Sequence, residues 1–218
     1  MPTARATLII LAVSLLSHPA FAHGSDTQQV ASSTSADSTD YLIKDRADPT
    51  MLATLRNFAE CVVERDSERA RAFLKSALFA RPGNQEVRTL VATNDGCLGR
   101  GELKFNQVLF AGAAAEAIYR ENGFRFADHP PAFPGNNPET LRSFAAQEGL
   151  CVTAKQPADV DELLRSPVGS AEEMRAILAL RPAVEMCMPR VQKTPEMIRA
   201  VIAAGAFPSV ASSLKVVE

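Results

Sequence analysis

Residues 52–62 read Leu52-Ala53-Thr54-Leu55-Arg56-Asn57-Phe58-Ala59-Glu60-Cys61-Val62. The apolar positions of this segment recur at intervals of three and four residues, which is the spacing of one face of an α-helix. Asp48-Pro49 precedes it, and Asp is a good N-cap while Pro suits the first helical position. Later segments repeat this spacing, whereas the sustained period of two that is typical of a half-buried strand does not occur. The sequence therefore predicts an all-α fold.

The four cysteines are spaced as two copies of one interval. Cys97 follows Cys61 by 36 positions, and Cys187 follows Cys151 by the same number. An even number of cysteines in an exported chain favours disulfides, and four cysteines allow three pairings. The repeated interval favours Cys61–Cys97 with Cys151–Cys187. Each bond would then stabilise the fold by roughly 4 kcal/mol, because it lowers the entropy of the unfolded chain. A zinc site needs close pairs such as Cys-x-x-Cys, which are absent, so these cysteines predict no metal centre.

The pattern around the cysteines also repeats, 90 positions further along the chain. The helix break at Asp66-Ser67 corresponds to Gln156-Pro157, and Phe73-Leu74 corresponds to Leu163-Leu164. Identity between the halves is low, so the cysteine interval and the helix starts must be taken together. We predict a duplicated unit of about 90 residues, with three or four helices and one internal disulfide in each copy. The sequence leaves open whether the two units share one core.

The N-terminus has the pattern of a secretory signal peptide. Arg5 supplies the positive charge, residues 8–16 are apolar, and Ala20-Phe21-Ala22 forms a small-x-small cleavage site. The apolar run is far shorter than the roughly 20 residues that a membrane-spanning helix needs, and no later segment is long enough. We therefore predict cleavage after Ala22, export to the periplasm or the medium, and no membrane span in the mature chain.

These patterns divide the chain into six segments. They are the signal peptide (1–22), a flexible polar leader (23–47), helical unit 1 (48–122), an irregular connector (123–136), helical unit 2 (137–208) and a C-terminal tail (209–218).

Charge and composition exclude some classes of function. The formal net charge is −2, and acidic and basic residues alternate, as in Glu64-Arg65-Asp66-Ser67-Glu68-Arg69. A one-sided basic surface is absent, so nucleic-acid binding is not expected. The motifs Gly-x-Ser-x-Gly and His-Glu-x-x-His and the phosphate-binding glycine loop are also absent. We therefore expect a protein that is not an enzyme and needs no cofactor.

The connector is the first place to look for a functional surface. Long irregular loops often carry function in compact proteins. The connector residues that could contact a partner are Phe124, Arg125, Phe126, Asp128, His129 and Phe133. The alternative interpretation is a linker whose phenylalanines seal the cores of the two units.

Two histidines are the candidates for a metal site. His23 becomes the first residue of the mature chain if cleavage follows Ala22, and its amine and imidazole could then chelate copper together with His129. The alternative is an incidental residue in a flexible leader, and the absence of a histidine cluster favours that alternative.

Two runs of small residues, Gly112–Ala115 and Ala203–Gly205, predict close helix packing. The alternative is a groove for an apolar ligand or a partner helix.

The leading hypothesis is an exported, non-enzymatic binding or interaction module whose partner is another periplasmic protein or a small ligand. Its oligomeric state is not predicted. The second hypothesis is a small-ligand or copper carrier that uses His23. The third is an enzyme that uses Arg125, Asp128 and His129 of the connector.

Overall fold

The computed structural model describes five stretches of the chain, residues 48–79, 84–99, 106–131, 143–191 and 193–214. Within them the secondary structure consists of helices and no strand, so the predicted all-α class is confirmed for these residues. All five stretches belong to a single compact unit, Ala36–Glu218. Among the described helices, none has the length and apolar character that crossing a bilayer requires. The α-helices are α1 (Pro49–Arg65), α2 (Ser67–Phe79), α3 (Asn84–Thr93), α4 (Gln107–Glu121), α5 (Phe144–Lys155), α6 (Pro157–Arg165), α7 (Ala171–Cys187) and α8 (Pro195–Leu214), and a short 3-10 helix covers Asp95–Cys97.

The helix boundaries follow the caps that the sequence predicts. Asp48 accepts a hydrogen bond at 2.8 Å from the backbone N–H of Thr50, so it caps α1. Helix α1 ends before Asp66 and helix α5 ends before Gln156, the two positions at which the sequence predicted corresponding helix breaks. Both residues have similar, non-helical backbone angles. Gly123 follows α4 with a φ of 61°, a conformation that favours glycine. The sequence also predicts a helix start at Asn137-Pro138 and a turn at Pro82-Gly83-Asn84. The first lies outside the described residues, and of the second only Asn84 lies within them.

Both predicted disulfides are confirmed. Cys61 on α1 is bonded to Cys97 at the end of the 3-10 helix, with the Cα atoms 5.8 Å apart. Cys151 on α5 is bonded to Cys187 at the end of α7, with a Cα separation of 5.7 Å. Each bond therefore joins an early helix to the end of a later element in the same half of the sequence.

Helix α8 packs between the two halves of the sequence. Its most extensive contacts are with α4 of the first half and α5 of the second. Small residues allow this approach. A Cβ on Gly112 would lie closer than 3.0 Å to backbone and side-chain atoms of Ala200, and one on Gly205 would clash with the backbone of α5. The small-residue runs thus include positions that bring α4 and α5 close to α8.

One hydrophobic core includes residues from both halves of the sequence, from Leu55 in α1 to Val210 in α8. The helices follow the same order in the two halves, but α8 of the second half packs against α4 of the first. The duplication itself stays a prediction. Helix α8 also continues to Leu214, whereas the sequence placed the end of helical unit 2 at residue 208.

Candidate functional site

A buried pair of opposite charges lies where α4 meets α8. Arg199 and Glu116 are 5% and 4% exposed. The guanidinium Nε and Nη2 of Arg199 donate to Oε2 and Oε1 of Glu116, both at 2.8 Å. This two-point geometry is the strongest arrangement available to an arginine and a carboxylate. Gly112 lies one turn before Glu116, Ala200 is the neighbour of Arg199, and their close approach brings the two charged side chains within reach.

The remaining hydrogen bonds of Arg199 reach the end of α6 and the first turn of α7. Its Nη1 donates to Glu173 Oε1 at 3.0 Å, and its Nη2 donates to the carbonyl oxygen of Ser166 at 2.9 Å. The stretch Ser170-Ala171-Glu172-Glu173 has the sequence pattern of a capping box, and the Ser170 hydroxyl oxygen accepts from the backbone N–H of Glu173 as that pattern predicts. The Glu173 side chain, however, accepts from the backbone N–H of Gly169 at 2.7 Å as well as from Arg199. The cap of α7 therefore also fixes one partner of the buried arginine.

Two further arginines approach Glu116. Arg56 Nη2 lies 2.7 Å from Glu116 Oε1, and Arg120 Nη2 lies 3.1 Å from the same oxygen. Glu60 stands on the outer side, with its Oε1 3.3 Å from Arg56 Nε and 3.5 Å from Arg120 Nη1. The charges of this network balance, since three arginines face three glutamates: Arg56, Arg120 and Arg199 with Glu60, Glu116 and Glu173.

Burial and pairing act in opposite directions on the arginines. Burial tends to lower the pKa of Arg199, but the hydrogen bonds and charges of Glu116 and Glu173 outweigh it, so that pKa is raised. For Arg56, burial prevails over the attraction of Glu116 and Glu60, and its pKa is lowered. An arginine starts from such a high pKa that both groups stay charged at neutral pH.

A cleft opens beside this network. Its cavity volume is about 40 Å³, and the empty space between its walls is about 410 Å³ when the part open to solvent is counted. Helices α1, α4, α7 and α8 and the loop before α7 form its walls. The lining combines apolar side chains (Leu52, Leu55, Leu109, Val168), small residues (Gly112, Ala113, Ala200) and charged residues (Arg56, Glu116, Glu173, Glu196, Arg199). An apolar wall with a few convergent polar groups is typical of a small-molecule site.

Two polar atoms of the lining are buried and have no hydrogen-bond partner. They are Oε2 of Glu196, in the first turn of α8, and Nη2 of Arg56. Arg56 Nη2 is close to Glu116 as a charge, but the pair does not meet the geometry of a hydrogen bond. A buried polar atom without a partner costs stability, so a native example beside a cleft needs an explanation.

The described part of the connector folds around another buried carboxylate. Asp161 on α6 accepts from the Tyr119 hydroxyl at 2.7 Å and from the backbone N–H groups of Phe126 and Ala127 at 2.8 and 2.9 Å. The rings of Tyr119 and Phe126 are stacked, with centroids 5.3 Å apart. Burial, followed by the hydrogen bond to Asp161, raises the pKa of Tyr119 above its ordinary value. We call Asp161 with these three donors the Asp161 latch, because it fixes the connector to α6.

The structure places the predicted partner residues in different environments. Phe126 is fully buried, and Phe124 is half-buried, with the two rings edge-on and their centroids 5.0 Å apart. Arg125 and Asp128 are exposed and 3.8 Å apart, and His129 is exposed with its ring 5.7 Å from Phe124. A partner surface, or an enzyme, built on these residues stays a prediction.

The other predicted candidates, His23 and Phe133, lie outside the described residues. Within the part of the chain that is described, no group of three or more His, Cys, Asp or Glu side chains is placed to hold a metal ion.

Sequence reasoning missed the network around Arg199, although it carries a signal. Glu116 is the one charged residue in the stretch 108–119, and Arg199 is the one charged residue in the stretch 197–214. A lone charge in an apolar helix, matched by a lone opposite charge in another, predicts a buried ion pair because an unpaired charge would be too costly.

Comparison of the chain with protein-family models, with curated proteins and with solved structures found no match in any of the three.

Proposed function

We propose that this chain is an exported, non-enzymatic binding protein and that it takes a small molecule in the cleft beside Arg199. The observation that carries the proposal is the combination of an apolar wall with Glu196, whose buried Oε2 has no hydrogen-bond partner. A ligand that donates to the Glu196 carboxylate and covers the apolar wall would offset a cost that the free protein carries.

The composition of the cleft supports binding over catalysis. Its described lining carries no serine, cysteine, lysine or histidine, so its glutamates are the side chains left to act as nucleophile or base. Glu116, the most central carboxylate, is already paired with three arginines.

The cleft is also a better candidate than the connector. The buried groups of the connector satisfy one another, since Asp161 receives donors from Tyr119, Phe126 and Ala127. A ligand would gain nothing there without displacing an existing hydrogen bond. The exposed residues Arg125, Asp128 and His129 are left as a secondary contact surface.

Export is the second element of the proposal. Two disulfides are typical of proteins in oxidising compartments, and the N-terminal sequence has the pattern of a cleaved signal peptide. The common order of helices in the two halves supports an origin by duplication, in which the cleft formed where the two copies share a core.

Native mass spectrometry tests the proposal on the mature protein with both disulfides formed. The protein is incubated with a cell extract filtered to small molecules and then examined for a retained adduct. We expect an adduct on the wild type and none on Ala113→Leu, because Ala113 lines the cleft and leucine would fill it. Ala154→Leu is the matched control, since Ala154 is half-buried on α5 and does not line the cleft.

Two results would count against the proposal. An adduct that persists in Ala113→Leu would place the ligand elsewhere. A wild type that retains nothing under conditions that keep it folded would remove the binding function. Loss of the adduct in both variants would mean that the change in packing, and not the filling of the cleft, is responsible.

A further inference from the structure

We infer that the ligand of the cleft is a small organic cation, a primary ammonium group on a short apolar chain, whose N–H groups donate to Glu196. This inference rests on the proposed binding function and deepens it by assigning the chemical class of the ligand. It follows from the charge of the lining, the unpartnered oxygen and the apolar wall.

The charge of the lining favours a cation. The arginine and glutamate charges of the network balance without Glu196, because Arg56, Arg120 and Arg199 face Glu60, Glu116 and Glu173. Glu196 adds one negative charge beside them, and no described cation forms an ion pair with it. A ligand with a single positive charge would restore neutrality inside the cleft.

The position of Glu196 Oε2 favours an N–H donor. Glu196 lines the cleft, and its Oε2 is shielded from solvent and accepts no hydrogen bond from any described side chain or backbone group. Hydrogen bonds from an ammonium to a carboxylate are roughly twice as strong as those between neutral groups. A donor of this kind would therefore gain more here than a hydroxyl of the same size.

The apolar side of the cleft accommodates the rest of the molecule. Leu52, Leu55, Leu109 and Val168 supply hydrocarbon surface next to the charged floor. Gly112 and Ala113 carry no bulky side chain into this space. A short alkyl chain would contact these residues while its ammonium group reaches Glu196.

An anionic ligand fits less well. Arg56 Nη2 lacks a hydrogen-bond acceptor, but its charge is already opposed by Glu116 and Glu60. Arg199 is fully engaged by Glu116, Glu173 and the Ser166 carbonyl. An incoming carboxylate or phosphate would meet three glutamates of the lining and no free positive charge.

The test uses three probes of equal chain length: butylammonium, butanol and butanoate. Binding is followed at neutral pH by NMR titration of the isotope-labelled protein, which detects weak complexes. We expect butylammonium to bind at least about tenfold more tightly than butanol, and butanoate to bind most weakly. The shifted signals should belong to the cleft residues, and Ala113→Leu should abolish them.

Glu196→Gln isolates the charge. It should reduce the preference for butylammonium over butanol to about onefold while leaving the affinity for butanol unchanged. Glu172→Gln is the matched control, because Glu172 occupies the same position in the first turn of α7 as Glu196 does in α8, and it does not line the cleft. It should retain the full preference.

Other outcomes would overturn the inference, and some would leave the proposed function standing. If Ala113→Leu abolishes binding but the three probes bind equally, the cleft is a site without charge selectivity. If the preference persists in Glu196→Gln, or if butanoate or the zwitterion norvaline binds more tightly than butylammonium, another group recognises the ligand. If no probe shifts the wild-type signals, the alkylammonium class is wrong, and the extract experiment alone decides the proposed function.

Discussion

Helix α4 contributes to two buried polar clusters that differ in one respect. Tyr119 donates to the Asp161 latch, where the carboxylate and its three described donors satisfy one another. Glu116 belongs to the network around Arg199, beside which Glu196 lines a cleft and keeps a buried Oε2 without a hydrogen-bond partner. A satisfied buried group is explained by the fold that it stabilises. An unsatisfied carboxylate in the wall of a cleft is better explained by a molecule that the protein binds.

The largest expected effect is at Arg199. Arg199→Met keeps an unbranched side chain but leaves Glu116 and Glu173 buried without their main partner. Breaking a buried ion pair from one side typically costs about 3–5 kcal/mol. We expect a loss of that size in the free energy of unfolding, measured by urea denaturation monitored by circular dichroism.

Two comparisons sharpen this prediction. Arg181→Met, at an exposed arginine paired with Glu185, should cost far less, because water screens that pair. Adding Glu173→Gln to Arg199→Met should recover part of the stability, since the amide oxygen still accepts from Gly169. If Arg199→Met costs no more than Arg181→Met, the network does not stabilise the fold.

The next largest effect is in the Asp161 latch. Tyr119→Phe preserves the stacking on Phe126 but removes the hydroxyl that donates to Asp161 at 2.7 Å. A hydrogen bond to a charged group contributes about 1.5–3 kcal/mol, and we expect a destabilisation of that size in urea. The same variant should expose the connector to limited proteolysis. No change in either measurement would show that the two backbone N–H groups suffice to hold Asp161.

The latch also predicts a pH dependence. The pKa of Tyr119 is raised in the folded protein, while that of an unfolded tyrosine is about 10. Above about pH 10 the unfolded chain loses this proton and the folded protein keeps it, so the free energy of unfolding falls by up to about 1.4 kcal/mol per pH unit. Below about pH 10 the contribution is fully present. Tyr119→Phe lacks the titration, so its stability should approach that of the wild type between about pH 9 and pH 11. Parallel curves would contradict the raised pKa.

Local patterns in the sequence predicted most of the fold. The three-and-four spacing of apolar residues predicted the helices, Asp48 and Ser170 predicted caps, and the repeated cysteine interval predicted both disulfides. These features depend on neighbours in the chain or on one repeated spacing, so they can be read without knowing how the helices pack.

The candidate site depends on contacts that local patterns do not contain. Arg199 meets Glu116 across 83 positions, and Phe126 meets Asp161 across 35. The contact at Arg199 requires a particular register of α4 on α8, which the close approach of Gly112 to Ala200 sets. The sequence indicated close packing at Gly112 but not which helix would lie there, so the cleft beside it could not be predicted.

The smallest expected effect is at Glu196 and distinguishes the two clusters most directly. In the free protein Glu196→Gln removes a negative charge whose buried Oε2 has no hydrogen-bond partner, which relieves the cost of burying that oxygen. The substitution also removes the favourable interaction of an acidic side chain with the N-terminal end of α8. We expect the free energy of unfolding to change by less than about 1 kcal/mol, in contrast to the loss at Tyr119. Urea denaturation of Glu196→Gln beside Glu172→Gln measures this, since both changes remove an acidic residue from the same position of a first turn. A loss above about 2 kcal/mol would mean that Glu196 stabilises the fold as Asp161 does. The cleft would then be a consequence of packing, and the case for a ligand would have to rest on the apolar wall alone.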